Sequence, residues 1–268
     1  MRMDFSDDQI RRYARHIILP EVGGIGQARL LDAKVLVVGA GGLGSPLILY
    51  LAAAGVGTIG VVDDDSVDLT NLQRQVLHST DRIGWSKADS AKAAVAAINP
   101  DVTVLPHRFR LDSSNALDLI GRYDVVADGS DNFATRFLIN DACRLVGKTL
   151  VSAAVLRFDG QLATFKPGGP CYRCLYSAPP PDDAVPSCAQ AGVLGAMAGV
   201  MGSLQATEVL KEILGIGESL SGNLLIIEAL STTIRKVRLR PDPACSLCGE
   251  QAHIHDLSIH GSFPRVCG

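Results

Sequence analysis

Val35-Leu36-Val37-Val38-Gly39-Ala40-Gly41-Gly42-Leu43-Gly44-Ser45-Pro46 is the stretch on which the reading of this chain turns. Four apolar residues in a row read as a short strand buried on both faces. Glycines at 39, 41 and 44 then fit G-x-G-x-x-G. Such a turn lets the backbone approach a phosphate closely, and the helix behind it offers free N–H groups and a partial positive charge. Ser45 reads as the cap of that helix, with Pro46 at its first position. Apolar residues continue through Leu47, Leu51 and Ala54 to a stop at Gly55. Thr58-Ile59-Gly60-Val61-Val62 is a second strand, ending in Asp63-Asp64-Asp65. The order is that of a βαβ unit. Asp63 follows Gly44 by about twenty residues, where a carboxylate would bond ribose hydroxyls.

Outward from this unit the alternation continues. Residues 87–98 are Ala-rich and helical, stopped by Asn99-Pro100. Residues 102–105 and 124–127 read as strands, 132–146 as a helix and 149–155 as a strand again. The expected fold is α/β: a Rossmann-like, doubly wound, mostly parallel sheet with helices on both faces. Later come a strand pattern at 161–165, a proline-rich loop at 179–183, a helix at 195–214, and two late strands at 223–228 and 232–240 that would extend the sheet antiparallel. One domain is expected over residues 1–249. Residues 250–268 hold His253, His255 and His260 with little periodicity, and read as a flexible tail.

Composition narrows the function. With 47% of 268 residues hydrophobic, the chain can bury a substantial core. A net charge of -3 gives no general polyanion surface, so no nucleic-acid partner is expected, and single basic residues must carry any phosphate chemistry. Residues 1–8 are acidic and do not read as a signal peptide. The apolar run from Val193 to Leu204 is soon broken by Gln205, Glu208 and Lys211, so it reads as a buried helix and not a membrane span. The expectation is a cytoplasmic protein. Seven cysteines include two Cys-x-x-Cys pairs, Cys171/Cys174 and Cys245/Cys248. In a reducing compartment that arrangement favours a closed S₄ structural zinc site over disulfides. A redox pair is the alternative. Cys143 falls inside a helix pattern and reads as core.

The glycine turn by itself serves NAD or FAD as well as ATP. Asp68-Leu69-Thr70-Asn71-Leu72-Gln73-Arg74-Gln75 and Lys87 separate them. Hydride transfer has no need of two cations near the end of the second strand, whereas a reacting triphosphate does. Asp131, in Gly129-Ser130-Asp131-Asn132, falls at another strand's C-terminal end, facing the same crevice. A carboxylate there could hold Mg²⁺ between phosphate oxygens. Taken singly, Arg74 and Lys87 also read as solvated surface charges.

The Gly39–Ser45 turn, Asn71-Leu72-Gln73-Arg74-Gln75 and Ser130-Asp131-Asn132 together resemble the MoeB/ThiF/HesA family, kin to the adenylation domains of ubiquitin-activating enzymes. The resemblance runs from about Arg12 to Gly249. It implies that Asp63 binds the ATP ribose, that Gly41 and Gly42 lie under the phosphates, and that Asn71, Arg74 and Lys87 contact the triphosphate. Asp131 would serve Mg²⁺ or the reacting centre. Arg15 matches an arginine that reaches a partner subunit's site, which implies a homodimer. The four cysteines match zinc ligands of the family. Cys188 matches a position where some members form a covalent link during sulfur transfer; a small buried thiol is the other reading.

The implied activity is adenylation of the C-terminal glycine of a small ubiquitin-like sulfur-carrier protein ending in Gly-Gly. The chain ends too soon for a rhodanese domain, so a separate sulfur donor is expected. The stretches 128–136 and 156–161 lean towards the molybdopterin-synthase small subunit as carrier. The run 61–65 leans towards the thiamine-pathway carrier. An NAD-dependent oxidoreductase and an inactive carrier-binding scaffold are the readings from other classes.

Overall fold

The computed structural model describes residues 4–180 and 191–261. The glycine turn sits where the sequence puts it. β1 (Lys34–Val38) runs into the turn, α3 (Gly44–Ala54) leaves it, and β2 (Thr58–Val62) follows. Before them come α1 (Asp7–Ile17) and α2 (Gly23–Asp32). After them come α4 (Lys87–Ile98), β3 (Thr103–His107), α5 (Ala116–Gly121), β4 (Val125–Asp128), α6 (Phe133–Leu145), β5 (Thr149–Leu156) and β6 (Asp159–Phe165). α7 (Tyr172–Leu175), α8 (Gly195–Leu214), β7 (Asn223–Glu228) and β8 (Thr233–Arg238) complete the described order.

Among the described residues the strands form one sheet, ordered β3-β2-β1-β4-β5-β6-β7-β8. The first five are mutually parallel, and β6, β7 and β8 extend them antiparallel. Side chains alternate across a strand, so β1 feeds two cores. Val35 and Val37 pack with Leu47, Leu51, Met197, Met201 and Val209 from α3 and α8. Leu36 and Val38 pack with Ile120, Phe137 and Ile139 from α5 and α6. A parallel strand covered on both faces needs an unbroken apolar run, which is what residues 35–38 supply.

Two sequence expectations change. Ser45 does not cap α3. The helix begins at Gly44, the cap position is Leu43, and no side chain caps it. Ser45 is fully buried, and its hydroxyl finds no hydrogen-bond partner among the described residues. Only glycine fits at position 44, because a Cβ there would stand 1.9 Å from the Gly39 carbonyl oxygen.

The tail is the second change. Beyond residue 249 the sequence shows no period, yet residues 250–260 pack down. Ile254, Leu257 and His260 are buried, His253 N–H donates to Ser246 O at 2.9 Å, and His260 Nε2 reaches Asp141 Oδ2 at 2.7 Å. A buried hydrogen bond and two apolar anchors hold this segment, and neither produces a helical or strand period. Among the described residues no helix is long and apolar enough to cross a membrane.

Candidate active site

The strand order reverses direction at β1, with β2 on one side and β4 on the other. In an open parallel sheet, ligands bind outside the strands' C-terminal ends at such a point. A cavity of about 300 Å³ opens there. Its floor is the glycine turn. Gly39 takes φ +91°, and a Cβ on it would meet the Gly129 carbonyl at 3.0 Å, so only glycine fits between the ends of β1 and β4. Gly41 and Gly42 line the cavity.

Asp63, at the end of β2, is part of the turn's scaffold as well as a cavity wall. Its Oδ2 accepts from Ala40 N–H at 2.8 Å and its Oδ1 from Asp65 N–H at 2.9 Å. Burial pushes its carboxyl above the usual range, against the pull of Lys87 and these two bonds. Lys87 opens α4. It is 6% exposed, and its Nζ sits 2.7 Å from Asp65 Oδ2. Arg74 lies in the loop after the short 3-10 turn Leu69–Asn71, and its guanidinium donates to Thr70 O at 3.0 Å. Two cations and a helix N-terminus thus face one cavity, a field that suits a polyanion.

Asp131 stands on the opposite wall, exposed, just before α6. Asn132 caps that helix, its Oδ1 accepting from Thr135 N–H at 2.9 Å. Asp128, fully buried, holds the loop between: Oδ1 accepts from Ser130 N–H and Oγ–H, and Oδ2 from Ser152 Oγ–H.

Of the residues picked from sequence, Gly41, Gly42, Asp63, Arg74, Lys87 and Asp131 meet at this cavity. Asn71 does not line it. Its backbone carbonyl instead accepts from Arg74 and Gln75 N–H. Arg15 is exposed on α1, which docks at the far ends of α3 and α4: Asn99 Nδ2 donates to Tyr13 Oη and Ala52 O, both at 2.8 Å. An eleven-residue helix is about 16 Å long, so Arg15 stands a helix length from its own chain's glycine turn. Cys188 lies outside the described residues.

Sequence reasoning passed over three side chains. Arg136 and Gln75 line the cavity, both buried. Arg136 donates to Ser130 O at 2.6 Å and Ala153 O at 3.0 Å. His78 is buried against the turn. The bonds from Arg136 to Ala153 and from His78 to Ala40 come from elements distant in sequence, so neither leaves a local signal.

The four cysteine sulfurs of Cys171, Cys174, Cys245 and Cys248 lie within 4.8 Å of one another, with Sγ–Sγ distances of 3.4 to 3.6 Å for three pairs. Tetrahedral thiolates at zinc bond length would be about 3.8 Å apart. The donor set therefore fits such an ion. It leaves no position open for substrate.

A doubly wound sheet with a glycine turn, flanking cations and a carboxylate at its switch point defines a nucleotide-binding α/β enzyme. The chain belongs to the ThiF family, whose model matches residues 13–247. It is 49% identical over 272 residues to the sulfur carrier protein adenylyltransferase of Thermus thermophilus, covering 99% of both chains. It is 53% identical over 269 residues to the adenylyltransferase and sulfurtransferase MOCS3 of Bos taurus. There the match covers 100% of this chain and 58% of the relative, so this chain spans little more than half of that protein's length. A crystal structure of E. coli MccB shares the fold, with a TM-score of 0.80 at 23% identity, covering 94% of this chain and 76% of that one. Like the relative matched end to end, the chain is an ATP-dependent adenylyltransferase.

Proposed function

We propose that the chain adenylates the C-terminal glycine carboxylate of a small ubiquitin-like sulfur-carrier protein ending in Gly-Gly. The observation that supports this most is the cavity itself, where Lys87 and Arg74 face Asp131 across the glycine turn. ATP would lie with its ribose at Asp63 and its phosphates over Gly41 and Gly42. The carrier's carboxylate oxygen attacks the α-phosphorus, the bond to the pyrophosphate oxygen breaks, and an acyl-adenylate forms. Lys87 and Arg74 stabilise the charge that builds on the phosphate oxygens, and positioning does the rest. Asp131 would hold Mg²⁺, which neutralises phosphate charge when bound. Asn71 would orient the loop that presents Arg74.

Arg15 would act in the site of a second copy, which makes the enzyme a homodimer. Its place on α1, away from its own cavity, supports that reading. Zinc in the tetrathiol would tie α7 to residues 245–248 and take no part in the chemistry. A reducing cytoplasm suits that site. The acyl-adenylate would pass to a separate sulfur donor, with Cys188 as the residue that links to the carrier. The molybdopterin-synthase small subunit is the preferred carrier, and the thiamine-pathway carrier is the second.

The test is ATP–pyrophosphate exchange with each Gly-Gly carrier, using wild type and Arg74→Ala. Exchange that depends on the carrier and is lost in the variant supports the proposal and names the partner. Absence of exchange with every such carrier, in folded and metal-loaded protein, removes it.

A further inference from the structure

Ala40, inside the glycine turn, is gripped from two sides, once at each of the two peptides that flank it. On one, Ala40 N–H donates to Asp63 Oδ2 at 2.8 Å. On the other, the Ala40 carbonyl lies 2.9 Å from His78 Nε2. A carbonyl only accepts, so Nε2 carries the proton. The other ring nitrogen agrees. Nδ1 lies 2.8 Å from Ser90 Oγ, whose own lone pair takes a bond from Arg82 at 3.1 Å, leaving the hydroxyl proton for Nδ1. His78 and Ser90 are 7% and 0% exposed. Burial, together with the nearby Lys87 and Arg82, takes the imidazole down to about 4, so it stays neutral.

The peptide that joins Ala40 to Gly41 is trans and planar. Its carbonyl and its N–H therefore point in opposite directions. With the Ala40 carbonyl turned to His78, the Gly41 N–H is turned away from it, and Gly41 lines the cavity. Among the described residues that N–H has no protein acceptor. A flip of this peptide turns ψ of Ala40 and φ of Gly41, and glycine at 41 does not resist positive φ, so the flip is inexpensive. A flip would aim the carbonyl at the phosphates and repel them.

We propose that His78 is a positioning residue for phosphate binding: its Nε2–H holds the Ala40 carbonyl and thereby fixes the Gly41 N–H as a donor to the triphosphate of ATP. It does so without touching the ligand, through one backbone peptide, with Ser90 and Arg82 setting its tautomer. The assignment rests on the reading of the cavity as the ATP site.

The experiment measures equilibrium binding of ATP and of adenosine to full-length, metal-loaded wild type, His78→Leu and His78→Gln. His78→Leu is expected to bind ATP weaker by on the order of tenfold, the loss of one charge-assisted contact. Adenosine, which has no phosphate, should lose little. His78→Gln can donate to the carbonyl and accept from Ser90, so it should recover most of the ATP affinity. Unchanged ATP affinity in His78→Leu, or equal losses for both ligands, overturns the proposal while leaving the ATP site standing. Wild type that binds no ATP removes the site and the proposal together. Should His78→Leu fail to fold, ¹⁵N spectra of the wild-type imidazole decide. A Nε2–H tautomer is required, and a Nδ1–H tautomer rules the proposal out.

Discussion

Lys87 is a buried cation paired with a carboxylate that is 68% exposed. Half of such a pair remains in water, so the bridge contributes little, while burying the ammonium costs stability. The residue is therefore held ready for a stronger anion. Lys87→Met is expected to lower kcat/KM for ATP by about 10²–10³, the scale of removing one transition-state charge contact. Its melting temperature without nucleotide should stay level or rise. Exchange kinetics and thermal melts on one preparation check both halves. His78 makes a pH prediction at the same scale. Its folded pKa of about 4 lies below the ordinary 6.5. Between those values the unfolded chain binds a proton that the folded chain refuses, so stability is lost as pH falls through this window. His78→Gln removes that loss. Its stability relative to wild type should improve as pH drops from 6.5 to 4, by at most roughly 1.4 kcal/mol per pH unit. Denaturant titrations across the range measure it.

At the scale of elements, α6 connects the site to the C-terminal segment. Its first turn carries Thr135 and Arg136 on the cavity. Its last third carries Asp141, fully buried, with Arg173 Nε and NH2 at 2.8 and 2.7 Å and His260 at 2.7 Å. Burial alone would raise this carboxyl, yet bonds from His260 and Arg173 hold it below the usual carboxylate range. Arg173 also stacks 4.8 Å over the Phe137 ring. Removing one partner of a buried pair leaves the other uncompensated, so Asp141→Asn should cost about 3–5 kcal/mol in denaturant unfolding. His260→Ala keeps the Arg173 pair. It should free residues 250–260 to protease while ATP binding survives.

For the whole molecule, the tetrathiol joins segments more than seventy residues apart in sequence, as the Cys174–Cys248 contact shows. Chelation should release one metal per chain and lower the melting temperature, because a structural thiolate site contributes on the order of 10 kcal/mol to folding. Metal analysis and calorimetry read it. The proposed homodimer makes a second prediction. Arg15→Ala and Arg74→Ala enzymes, each inactive alone, should regain about a quarter of wild-type exchange when subunits are mixed, since half the dimers are mixed and each holds one intact site. No recovery after proven subunit exchange would put Arg15 and Arg74 in the same chain's site.

The sequence by itself determined the sheet, its central turn and the pairing of the two Cys-x-x-Cys segments into one four-cysteine cluster. Strands 35–38 and 58–62, helices 87–98 and 195–214 and strand 223–228 were legible because burial on both faces imposes apolar runs and helices impose a period. Gly41, Gly42, Asp63 and Asp131 were legible because the ends of parallel strands converge, whereas Arg74 and Lys87, in a loop and at a helix start, were singled out through the family resemblance. Only the tertiary structure decided the rest. His78 meets Ala40 across 38 residues, and His260 meets Asp141 of α6 across 119, each as a single hydrogen bond. A lone buried polar contact has no period and no spacing rule. Its partner is set by how the elements pack, and packing is what a linear pattern does not carry.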